Sequence, residues 1–162
     1  MAFDALAAAT VYGDDTALAP VLDAAREVGV RLITAQLPES TSDSFSDWVT
    51  RPSAAVIEQL RQIDLADSTH AGSTPLAVVW VFPAVADPNR LTTRAAAVEA
   101  LRGIVQSVTR EKAHVWAPTN GIAGQVDDLD SVLSALTFLG DPDGGFTAGS
   151  TFDLTPRVDS AR

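Results

Sequence analysis

Residues Leu76 to Phe82 (Leu-Ala-Val-Val-Trp-Val-Phe) run without a polar side chain and stop at Pro83. The run is too short to cross a membrane, which takes about 18 or more apolar residues. As a strand, its continuous rather than alternating apolarity means that both of its faces are covered. The chain must then supply helices above and below it, and the flanking sequence does so. Thr16 to Val28 sets Leu18, Val21, Leu22, Ala25 and Val28 on one helical face. Pro20 falls in its first turn, where a missing N–H is harmless, and Gly29 supplies the stop. Pro52 to Leu65 repeats the pattern with Val56, Ile57, Leu60 and Ile63, and Thr92 or Thr93 to Arg110 with Val98, Leu101, Ile104, Val105 and Val108. Asp127 to Leu139 is a fourth helix whose acidic first turn suits the positive end of the helix dipole.

Strand candidates lie between these helices. Phe3 to Thr10 reads as a buried strand, although its alanines also permit helix, and Val30 to Leu37 is β-branched and bounded by Gly29 and Pro38. Ala113 to Ala117 reads as a short strand followed by a glycine-containing loop, Pro118 to Gly124. Gly140 to Gly145 turns the chain into a last strand, Phe146 to Leu154. Strands alternating with helices predict an α/β fold of three layers, αβα and Rossmann-like, around a mostly parallel, doubly wound sheet. Residues 1–155 form one domain on this reading and residues 156–162 a C-terminal tail.

Charge narrows the partners. With 11 basic against 21 acidic residues the formal charge is -10, which repels phosphate backbones and anionic lipid. Cysteine is absent, so disulfides, thiolate catalysis and cysteine metal sites are excluded. Only His70 and His114 could offer imidazole to a metal. The start, Met1-Ala2-Phe3-Asp4, lacks the basic region of a secretory signal, so a cytoplasmic protein is expected.

Three stretches carry a resemblance. Residues 130–154 (DSVLSALTFLGDPDGGFTAGSTFDL) join a helix ending in Phe-Leu, through an acidic turn, to a final strand with threonine and glycine. Arg94 to Arg110, Glu111 and the following AHVWAPTNG form a helix, a glutamate and a strand, and Gln59 to Leu65 (QLRQIDL) closes an earlier helix. From Ser53 onward the chain resembles the short-chain dehydrogenase/reductase family, these stretches matching its closing segment, its fifth helix with sixth strand, and its fourth helix. The resemblance implies a nicotinamide-dependent reaction resting on a tyrosine as general acid/base, a lysine four residues later and a serine that orients the carbonyl.

Transferred residue by residue, that chemistry is missing. The resemblance puts Leu91 at the tyrosine position, Ala95 at the lysine position, Phe82 or Pro83 at the serine position and Asp64 at the fourth-helix asparagine. No other placement restores the pair, because Tyr12 is the only tyrosine and Lys112 the only lysine, 112 − 12 = 100 positions apart. Of the family's three turn glycines only Gly13 remains, and Asp14 and Asp15 would set like charge against a pyrophosphate. Pro118 is the other vestige of cofactor binding, with its glycine displaced to Gly121. No cofactor is expected on this chain, NAD or NADP belonging to a partner subunit. The chain is also short for the family, lacking at least one strand and one helix of the usual first half. Asp47-Trp48-Val49 reads as a remnant of the family's fourth strand, and an alternative placement makes Phe3 to Thr10 that strand.

The remaining motifs have plain readings. His70 lies in a polar loop, and His114 opens an edge. Asp141 to Gly145 lacks the ligand positions of a calcium loop and reads as a tight turn. Asp127, Asp128 and Asp130 form an acidic helix start, and Trp48, Trp80 and Trp116 read as core. No Gly-x-Ser-x-Gly elbow is present. The helix 94–110 is apolar on more than one face, and Ala96, Ala100 and Gly103 permit close helix approach. In the family such a helix packs against another subunit, which implies an interface at Ala96, Val98, Leu101, Arg102 and Val105.

The expected function is that of a catalytically inactive, pseudoenzyme subunit assembling with a full-length short-chain dehydrogenase, or with itself. Two alternatives stand beside it. One is a nicotinamide-dependent oxidoreductase of a small carbonyl, alcohol or acyl substrate using atypical residues such as Tyr12 or Asp64. The other is a small-molecule binding module at the carboxyl ends of the strands.

Overall fold

A computed structural model describes residues 8–14, 16–39, 45–66, 74–84, 89–113 and 115–156, with only the backbone of Ala66 and Phe146. Asp15, His70, His114, the first half of the Phe3–Thr10 strand and the tail beyond Pro156 lie outside the described residues. Strands β1 (Ala8–Tyr12), β2 (Arg31–Gln36), β3 (Leu76–Phe82), β4 (Thr119–Gln125) and β5 (Thr151–Asp153) alternate with helices α1 (Ala19–Val28), α2 (Arg51–Ala66), α3 (Arg90–Lys112) and α4 (Leu129–Gly140). Every strand pairing is parallel, and helices cover both faces of the sheet, giving a three-layer, Rossmann-like α/β fold.

All of β3 is buried, as its composition requires. Leu76, Val78, Trp80 and Phe82 pack under Val56, Leu60 and Ile63 of α2 and Ala97, Val98, Leu101 and Val105 of α3. Ala77, Val79 and Val81 face the other way, toward Val21 and Ala25 of α1 and Val132, Leu136 and Leu139 of α4. Pro20 sits in the first turn of α1, and Gly29 ends that helix with φ 74°. Tertiary burial of one stripe per helix holds these segments in place, since helices as short as α1 and α4 are marginal alone.

Three expectations are corrected. The strand after α3 is not Ala113–Ala117 but the glycine-containing stretch read as a loop, Thr119–Gln125. A Cβ on Gly121 would come within 3.1 Å of Val105 Cγ2, and one on Gly124 within 2.3 Å of Val132 Cγ2. These glycines let helices approach the sheet, and no turn occurs there. Asp47-Trp48-Val49 is no strand remnant, because Ser46–Thr50 is a π-helical turn leading into α2, with the Trp48 indole donating to Pro38 O at 2.8 Å. The last strand is reduced to Thr151–Asp153, since Pro142–Phe146 forms a 3-10 turn whose Asp141 carboxylate accepts from Asp143 N.

The strand order also departs from doubly wound topology. It runs β1-β2-β3-β4-β5, with no reversal among the described strands, whereas a doubly wound sheet has the order 3-2-1-4-5-6. Each step crosses the sheet in the same direction, so a helix on one face gives a crossover of one hand and a helix on the opposite face gives the other. With α1 and α4 on one face and α2 and α3 on the other, two of the four crossovers are left-handed. Parallel crossovers are right-handed in about 98% of cases.

Candidate functional site

In open α/β sheets, ligands bind beyond the carboxyl ends of the strands. At that end adjacent strands send their helices to opposite faces twice, at β1 and β2 and at β3 and β4, and these two places are the candidate crevices.

At the first crevice β1 is followed by Gly13, at φ 80°. A Cβ there would lie 2.0 Å from Gln36 O, so the glycine admits the neighbouring strand's own backbone. Asp14 Oδ1 accepts from the Thr16 hydroxyl and from Thr16 N, and these two bonds hold its carboxyl below the usual carboxylate range. The turn is thereby closed on itself, with its carboxylate occupied as a cap. Pro118 stands at the opposite end of the sheet: its carbonyl accepts from Leu76 N, where β3 begins. The expected vestige of cofactor binding is therefore corrected, because Gly13 and Pro118 share no site.

Beside the second crevice, toward β5, two of the positions that the resemblance assigns to catalysis share one cavity. Leu91 and Ala95, on the first turns of α3, line a cavity of about 320 Å³ together with Arg94, Val98, Asp153, Thr155 and Pro156. Pro83 is buried just beyond β3. Arg94 is 7% exposed and shares the inward stripe of α3 with Ala97, Val98, Leu101 and Val105. Its Nη1 donates to Gln125 Oε1 at 3.0 Å and its Nη2 to Pro156 O at 2.8 Å. Gln125 Nε2 donates in turn to Asp127 Oδ1 at 3.0 Å, which fixes the amide with its oxygen toward the guanidinium. Burial pushes the Arg94 guanidinium below its usual range, and the Asp153 charge pushes back. Asp153 Oδ1 is engaged by Thr155 N at 3.0 Å and by the Thr155 hydroxyl. Arg94 was missed in the sequence, although a lone arginine at core spacing with Val98 and Leu101 was the available signal.

Asp64 is remote from this crevice. It lies near the end of α2, at the amino side of the sheet, and Lys112 Nζ donates to its Oδ1 at 2.7 Å. Tyr12 ends β1 at the carboxyl side and packs partly buried against the α2–α3 core. The alternative enzyme reading finds its two residues at opposite ends of the sheet.

The expected interface is corrected as well. Val98, Leu101 and Val105 are 4%, 0% and 0% exposed and face the sheet, so they form core rather than an outer stripe. Ala96 and Arg102 are half-buried. The outer side of α3 instead borders a groove of about 530 Å³ shared with α2. Ile57 and Leu60 form one wall and Ala100, Ile104 and Val108 the other, with Gly103 between them. A Cβ on Gly103 would meet nothing within 4 Å, and Ile57 is 48% exposed. Arg61, Asp64, Glu111 and Lys112 supply a rim of balanced charge. The groove closes at Trp116, whose ring centre lies 5.5 Å from the Arg31 guanidinium and 5.6 Å from Lys112 Nζ. Trp48 and Trp80 are fully buried, as their core reading requires.

Among the described residues no cluster of acidic or histidine side chains could hold a metal, and no helix is long and apolar enough to cross a membrane. No protein-family model matches the chain, and no curated protein matches it either. Among solved structures it is similar to 4-hydroxyisoleucine dehydrogenase complexed with NADH and succinate, at 14% identity and a TM-score of 0.48, over 84% of this chain and 70% of that one.

Proposed function

We propose that this chain is a noncatalytic subunit of short-chain-dehydrogenase type, which docks through its α2–α3 face onto an active, full-length dehydrogenase or onto a second copy of itself. The observation that carries this reading is the groove between α2 and α3. It is apolar and open to solvent, with a protruding Ile57 beside a recess over Gly103 and a charge-balanced rim. An exposed apolar surface rimmed by polar groups is a common mark of a protein-binding site. The second crevice supports the noncatalytic part. Leu91 and Ala95, at the positions the resemblance gives to the acid/base pair, can neither donate nor accept a side-chain proton. The nicotinamide cofactor then belongs to the partner.

Co-expression with a full-length short-chain dehydrogenase, followed by size exclusion with light scattering, tests the reading. Co-elution or self-association is expected, and Ile57→Glu should abolish it while leaving the unfolding midpoint in place. Titration of this chain alone with NADH should leave nicotinamide fluorescence unchanged. Micromolar NADH binding, or a monomer in every pairing, overturns the proposal.

A further inference from the structure

We propose that the cavity beside the carboxyl ends of β4 and β5 binds a small aliphatic monocarboxylate. Arg94 would hold the carboxylate, and Leu91, Ala95 and Val98 would meet the hydrocarbon. A cation taken out of water is normally met by a carboxylate, because desolvation is otherwise uncompensated. Arg94 is 7% exposed, yet its hydrogen bonds within the described residues go to two neutral oxygens, Gln125 Oε1 and Pro156 O. Asp127 reaches it only through the Gln125 amide. Asp153 acts on it across space, its Oδ1 being engaged by Thr155. A guanidinium has five N–H donors in a flat fork, and these two bonds leave the others for a bidentate oxygen ligand.

The surroundings select the rest of the ligand. Leu91, Ala95 and Val98 present alkyl surface next to the charge, which complements a carboxylate carrying a short hydrocarbon chain. At about 320 Å³ the cavity lies at the small end of ligand pockets. Asp153 in its wall repels a second negative charge, which disfavours phosphates and dicarboxylates. This site stands apart from the docking surface, whose test reads elution and not ligand heat, so either proposal can fail alone.

Isothermal titration of the full chain with butyrate, butyramide and inorganic phosphate tests it. Butyrate should bind saturably and at least about tenfold more tightly than its neutral amide, the scale of a charge-assisted bidentate contact. Ala95→Leu, at an exposed helical position in the cavity wall, should weaken butyrate by a similar factor with an unchanged unfolding midpoint. Arg94→Lys should weaken it as well, since an ammonium cannot form the fork. Absence of saturable butyrate heat, equal affinity for the amide, tighter binding of phosphate, or indifference to Ala95→Leu each overturns the proposal.

Discussion

The two faces of the sheet bury comparable cores but finish their outer surfaces differently. On one side α1 and α4 meet directly. Gly140 lies so close to α1 that a Cβ on it would come within 2.7 Å of Val28 O. On the other side α2 and α3 pack on the sheet, and Trp48, in the turn ahead of α2, meets Phe82 of β3 edge-on at 5.7 Å between ring centres. The two helices leave a groove above, spanned at one end by the Asp64–Lys112 ion pair. Gly124 and Gly140 let elements close up on the first face, as Gly121 does beneath α3 on the second, where Gly103 also leaves a recess facing solvent. An apolar seam is therefore finished on one side only, which is the physical reason to look for a partner on the other.

Four substitutions break or sharpen this contrast. The largest effect is expected for Leu101→Glu, which puts a carboxylate against the sheet at a position with 0% exposure. Urea denaturation should show a loss of about 4 kcal/mol or more, as for an unpaired buried charge. A change in oligomeric state without loss of stability would return this residue to the surface. Gly124→Val attacks the closed side, where Val132 leaves no room for added atoms. Overpacking there should cost about 3 kcal/mol, read as a lower urea midpoint. Gly103→Ala on the open side should act oppositely, gaining about 0.5–1 kcal/mol of stability because a helical glycine is replaced where nothing stands within 4 Å. Asp64→Asn should cost about 0.5 kcal/mol or less, an exposed-pair effect that fades in high salt. If it proved as damaging as Gly124→Val, the ion pair and not packing would be setting the spacing of α2 and α3.

Much of this was legible in the sequence, and the failures have specific causes. β3 declared itself by continuous apolarity, and α1 by its stripe with Pro20 and Gly29 at its ends. β4 stayed hidden because Thr-Asn-Gly-Ile-Ala-Gly-Gln has the composition of a turn. Only the contacts of Val105 and Val132 explain its glycines, and those contacts are long-range. The length of α3 was nearly right, but its facing was not. A helix apolar on several sides does not reveal which side meets the sheet, and the buried Arg94 marks that side better than any single valine. The groove escaped notice because it belongs to the spacing of two helices, a quantity with no local signature.

The sequential strand order has a consequence for how the chain acquires its shape. In the order 3-2-1-4-5-6 the first strand gains its second neighbour, the fourth strand, only after the third has been laid down at the far edge. Here every strand pairs with the strand immediately before or after it in the chain. Each strand's neighbours are thus one βα unit away in the chain, so the loops closed on pairing stay short. A parallel sheet is usually among the slower architectures to assemble. This one is wired so that growth needs no return to its starting edge.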